Sequence, residues 1–122
     1  MQLKLPKLPY QMNALEPHLD ANALEIHYRK HHSGYLQKLN DALRQLRLED
    51  VPLEEILANV SQYPPSIRNY AGGFYNHSLF WQMLTPDYQE LNDINLTDAI
   101  IKYFGTFEKM KEEFTTVALN QF

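Results

Sequence analysis

Proline punctuation limits what this chain can fold into more than any other feature of its sequence. The seven prolines fall at Pro6, Pro9 and Pro17, at Pro52, at Pro64 and Pro65, and at Pro86. A proline inside a helix removes a hydrogen bond and clashes with the preceding turn, so helix is confined to the stretches between them. The first three leave Leu3 to Pro17 as an extended leader. Leu5, Leu8, Tyr10, Met12 and Leu15 predict that this leader lies along an apolar surface. The spacing then predicts one long helix from about Leu19 to Leu46 and a second from near Ser66 to a point before Pro86. Between them, Val51 to Leu57 reads as a short helix with Pro52 near its start. Lengths and breaks favour an antiparallel helical hairpin.

The long helices carry distinct faces. In the first, Asp20 or Asn22 can cap the N-terminus. Leu36, Leu39, Leu43 and Leu46 recur at helical spacing and form an apolar seam. Gly34 marks a bend or a close approach of another backbone. In the second, Tyr70, Phe74, His77 and Trp81 form one stripe. Gly72 and Gly73 each cost about 1 kcal/mol relative to alanine in a helix interior. They predict close contact between the two long helices. Tyr88 to Asn95 is a polar connector. Asn95 or Thr97 can cap a helix through Phe104, and Gly105 stops it. Thr106 can cap a last helix with the apolar stripe Phe107, Met110, Phe114 and Val117. No strand-like alternation is convincing, so the expected class is all-α.

Chemistry concentrates in Leu24-Glu25-Ile26-His27-Tyr28-Arg29-Lys30-His31-His32-Ser33-Gly34-Tyr35. At about 100° per residue, His27, His31 and Tyr35 fall within an arc of about 80° on one helix face. A single helix cannot surround a metal. His77, on the opposite helix, is the candidate partner for His27, because neutral imidazole is a common metal ligand. By spacing alone, two distant histidines more often mean two structural histidines than a shared site. His32 reads as structural and His18 as a surface residue.

Composition narrows the function classes. The chain is 44% hydrophobic, which suits a packed core and not a disordered chain. A net charge of −4 argues against non-specific nucleic-acid binding, which sets Lys and Arg against phosphate. No apolar run approaches the roughly 20 residues of a bilayer span, so no membrane partner is expected. The absence of cysteine removes thiolate chemistry. The first residues lack the apolar core of a secretory leader, and the expected compartment is the cytoplasm.

Four blocks in order, LPYQMNALEPHLD, LEIHYRKHHSGY, NYAGGFYNHSLFW and YFGTFEKMKEEF, resemble the N-terminal part of the iron/manganese superoxide dismutase family. The resemblance runs from about Leu5 to Phe122. It implies an N-terminal hairpin domain over residues 1–87. Residues 88–122 are then the first helices of a C-terminal α/β domain that is incomplete here. His27 and His77 correspond to two of four protein ligands to Mn or Fe. A further His and an Asp come from the later part of the family's chain, beyond Phe122. His31 and Tyr35 correspond to residues of the substrate funnel, and the Tyr joins a proton relay. Trp81, Phe80 and Phe74 are expected to wall the metal pocket. Gly73 leans the resemblance toward manganese, since iron-type members usually carry Gln there. Phe74 departs from the His often seen next in manganese-type chains. The implied substrate is superoxide, a small anion, and the implied reaction its disproportionation to dioxygen and hydrogen peroxide. The uncovered stripe of the last helix predicts a homo-oligomer. The rival reading is a non-enzymatic helical interaction module, inactive by itself.

Overall fold

The computed structural model describes residues 2–121. Every regular element among them is helical. The first long helix has three parts: α1 (Ala21–Ile26), a π-helical turn (His27–His32) and α2 (Ser33–Leu46). Asp20 caps it, accepting from the backbone N–H groups of Asn22 and Ala23, both at 3.0 Å. Glu16 Oε1 accepts from Ala21 N at 3.1 Å. The carboxylates thus satisfy N–H groups that the first turn leaves without partners. Helix α2 ends at Arg47, which takes a left-handed conformation (φ 58°). Its successor, Leu48, returns its N–H to Leu43 O at 2.8 Å.

Short α3 (Leu53–Ala58) follows Pro52, and a single 3₁₀ turn occupies Val60–Gln62. Helix α4 (Pro65–Met83) starts on proline, whose missing N–H costs nothing in a first turn. Contacts between the long helices run in opposite senses. His27 meets Trp81, Tyr35 lies beside Gly73, and Lys38 sits over the Tyr70 ring.

Two apolar clusters hold this hairpin. The first gathers Leu39 and Leu43 of α2, Ile56 of α3, and Ile67, Ala71 and Phe74 of α4. The leucine seam reaches this core as expected, except for Leu46, which is 41% exposed one turn beyond it. The second cluster joins Leu15, Leu24 and Trp81, with Leu8, Tyr10 and Met12 packed on it. The leader is therefore part of the core. Polar side chains tie it down. Asn40 accepts from Leu3 N (3.1 Å) and donates to Leu3 O (3.0 Å). Tyr28 donates to Pro6 O at 2.8 Å, and Tyr10 to Trp81 O at 3.0 Å. Asn40 and Tyr28 thus satisfy the carbonyls of Leu3 and Pro6, while turn bonds within the leader take up those of Gln11, Asn13 and Leu15.

Two glycine expectations need correction. A Cβ on Gly72 or on Gly34 would meet nothing within 4 Å, so neither marks a close approach. Only Gly73 does, and it faces a side chain, the Tyr35 ring.

The chain divides into two compact units between Asp87 and Tyr88. In the second, α5 (Ile94–Phe104) is capped by Asp93, which accepts from Leu96 N at 2.8 Å. Neither Asn95 nor Thr97 is the cap, because Asp93 offers an equivalent acceptor one turn earlier. Gly105 (φ 84°) stops α5, and Thr106 Oγ1 accepts from Lys109 N to open α6 (Phe107–Asn120). Phe107, Phe114 and Val117 of α6 are exposed.

Candidate metal centre

The π turn decides which way the histidines point. Residues five apart on an α-helix diverge by about 140°, so His27 and His32 would face different directions. A π turn closes its hydrogen bonds one residue later and accommodates an extra residue per turn. Both rings consequently pack on α4. The ring centroids of His27 and His77 lie 4.8 Å apart at 87°, and those of His32 and His77 lie 5.4 Å apart, stacked at 20°.

His77 Nδ1 lies 2.7 Å from Gly73 O, one turn earlier on α4. A carbonyl can only accept, so Nδ1 carries the proton and Nε2 keeps its lone pair. This is the backbone-anchored arrangement that orients a metal-ligating imidazole. His27 is stacked edge-on against Trp81 at 5.0 Å and lies 5.7 Å from Phe80. Burial, then the neighbouring His77 and His31, push its pKa below the usual imidazole value. Both features suit neutral donors to a cation, and two imidazoles fit Mn or Fe as part of a ligand set. Among the described residues, no group of three His, Cys, Asp or Glu is placed to hold a metal.

An open cleft of about 540 Å³ lies beside the pair, lined by Ala23, Ile26, His27, His31, Tyr35 and His77. The Tyr35 ring is 5.4 Å from that of His77, and the His31 ring 6.0 Å from that of His27. On its other side His27 lines a smaller pocket of about 100 Å³ together with Phe80 and Trp81.

The model of the iron/manganese superoxide dismutases, alpha-hairpin domain, matches residues 2–85. The chain belongs to this family. The match covers the leader, both long helices and both histidines of the pair, and ends just before the division between the two compact units.

Within this superoxide dismutase hairpin, two of the expected wall aromatics are also core residues. Phe74 does not line the cleft. It is buried in the first core cluster, with its ring 5.2 Å from that of His32. Trp81 is as much core as wall, buried among Leu15 and Leu24 while its edge meets His27. His32 has more partners than a generic structural histidine. It is wholly buried, its Nδ1 accepts from Trp81 Nε1 at 2.9 Å, and its Nε2 lies 3.2 Å from Phe74 O. Ser78 Oγ stands 3.3 Å from the same nitrogen and donates to Phe74 O at 2.8 Å. The signal for this in the sequence was faint. It lay in the adjacency of His31 and His32, which a strict α-helix would turn apart by about 100°.

Burial, then His77, lower the His32 pKa from 6.5 to about 4, against the raising effect of the Phe74 carbonyl. The neutral ring is therefore the form the fold stabilises. Its contribution is complete above the unfolded value near 6.5 and is lost progressively as pH falls toward about 4. In chelator, the metal-free chain should lose about 1.4 kcal/mol per pH unit from His32 within that window. Urea midpoints measured between pH 7 and pH 5 check this. His32→Asn should flatten the slope, and a wild-type midpoint independent of pH would refute it.

Proposed function

We propose that this chain is the hairpin part of a superoxide dismutase, with His27 and His77 as two imidazole ligands to a redox-active metal. The observation that carries the reading is the pair itself. His77 is anchored through Nδ1 to Gly73 O, and its ring stands 4.8 Å from that of His27 at the wall of an open cleft. His27 and His77 would hold the metal through neutral imidazole nitrogens. Bound there, the metal supplies the one-electron couple that turns superoxide into dioxygen and hydrogen peroxide.

The chain's own residues supply orientation, packing and protons. Gly73 O sets the His77 tautomer, and Phe80 and Trp81 pack their rings against His27. Tyr35 lines the cleft with its ring 5.4 Å from that of His77, and its phenol can donate a proton. It is the residue we assign to proton delivery. His31 lines the approach for the small anion. Manganese is the preferred metal in this reading. The Tyr35 ring occupies the space a Cβ at position 73 would take, which favours the glycine of manganese-type members over the glutamine of iron-type ones. The family's remaining ligands, an Asp and a third His, come from outside these 122 residues. Self-association through the exposed residues of α6 and a cytoplasmic setting belong to the same proposal.

Titrating the dialysed chain with Mn²⁺, and following superoxide decay, tests this. Two neutral ligands predict weak Mn²⁺ binding and slow decay by the chain alone. His27→Ala and His77→Ala should each remove that binding, whereas Tyr35→Phe should keep it. Binding that survives both alanine variants would sink the assignment.

A further inference from the structure

We propose that His32 is a positioning residue for the His27–His77 pair, acting on one ligand through the Trp81 indole and on the other through its own ring. The inference rests on the reading of His27 and His77 as ligands. An indole N–H can only donate, so His32 Nδ1 must accept, and its Nε2–H then donates to the Phe74 carbonyl. The tautomer is determined from both sides. The other tautomer would aim N–H at the indole N–H and a lone pair at the carbonyl, and lose both bonds inside a dry core, where an unmet polar group costs most.

The locked imidazole has two consequences. The Trp81 indole is held at 2.9 Å from Nδ1, and its ring packs against His27 with centroids 5.0 Å apart at 72°. The other face of the arrangement is the 5.4 Å stack of His32 on His77, whose second anchor is Gly73 O. One side chain therefore restrains the supports of both ligand rings. An aliphatic residue would fill the same volume without orienting either ring. The reach across to α4 depends on the π turn, which brings positions 27 and 32 to the same side of the helix.

The test uses the full chain, with Trp81 as its single tryptophan. In metal-free protein, proton–proton cross-relaxation between the His27 and His77 rings reads their alignment, and the one indole N–H resonance reads its hydrogen bond. His32→Phe keeps a ring but no acceptor, and Trp81→Phe keeps a ring but no donor. Both should weaken the inter-ring signal. His32→Asn places an acceptor oxygen near the Nδ1 position and should restore the indole resonance and much of the inter-ring signal. Should His32→Phe fail to fold, Trp81→Phe against His32→Asn carries the comparison. Mn²⁺ affinity should fall about 10-fold or more in the two phenylalanine variants, as for other groups that orient ligands. An inter-ring signal unchanged in a folded phenylalanine variant overturns the positioning role. Equal Mn²⁺ binding by wild type and His27→Ala instead overturns the ligand reading, and the metal-free signals then decide the positioning role separately.

Discussion

Trp81→Ala should bring the hairpin unit close to unfolding. Trp81 is only 2% exposed and joins the leader to both long helices through Leu15, Leu24, Tyr10 and Met12. Truncating a buried aromatic to alanine costs about 3–5 kcal/mol, through lost transfer energy and the cavity left behind. A second penalty adds to it here. The His32 Nδ1 loses the indole donor, and an unsatisfied acceptor in a dry core costs about 1–3 kcal/mol more. Domains of this size have only about 5–15 kcal/mol to lose. A urea transition followed by circular dichroism should shift to much lower denaturant, or vanish at 37 °C. Trp81→Phe should cost less, since it keeps an aromatic ring and forfeits mainly the indole donor to His32 Nδ1. A midpoint within error of wild type for Trp81→Ala would mean that the second cluster does not support the fold.

Gly73→Leu and Gly72→Ala should move stability in opposite directions, although the residues are neighbours on one helix. A Cβ at position 73 would lie 2.6 Å from Tyr35 Cε1 and 2.7 Å from its Cγ. Cγ sits at the root of the ring, so the whole side chain must swing away, and a leucine must find room as well. Overpacking of this kind costs about 1–3 kcal/mol. It should also move Tyr35 out of the cleft and alter access to His77. A Cβ at position 72 meets nothing within 4 Å, so Gly72→Ala gains up to about 1 kcal/mol of helix propensity unopposed. Urea midpoints check both signs, and the Tyr35 ring resonances check the displacement. A destabilised Gly72→Ala, or a neutral Gly73→Leu, would contradict the packing described here.

Much of this organisation was legible in the residues. The prolines delimit the helices, because a missing N–H acts locally wherever it falls. Asp20, Thr106 and Gly105 act as cap, cap and stop for the same local reason. The apolar positions 39, 43 and 74 follow from helical period, since a helix buries whichever stripe is greasy. The four motif blocks pointed to the family that the match over residues 2–85 establishes.

Tertiary structure decided the rest. The π turn over His27–His32 has no signature in composition, since the same residues are compatible with α-helix. Packing of two rings onto α4 selects it. Which glycine is needed depended on where Tyr35 lies, a contact between residues 38 positions apart that no local rule contains. His32 was legible as a structural residue, yet its bonds to Trp81 and Phe74 exist only once the π turn and α4 are side by side. Local physics writes periodicity, caps and stops into neighbouring residues. Ring orientation, proton placement and buried polar partnerships depend on groups brought together from distant parts of the chain, and those only the assembled fold determines.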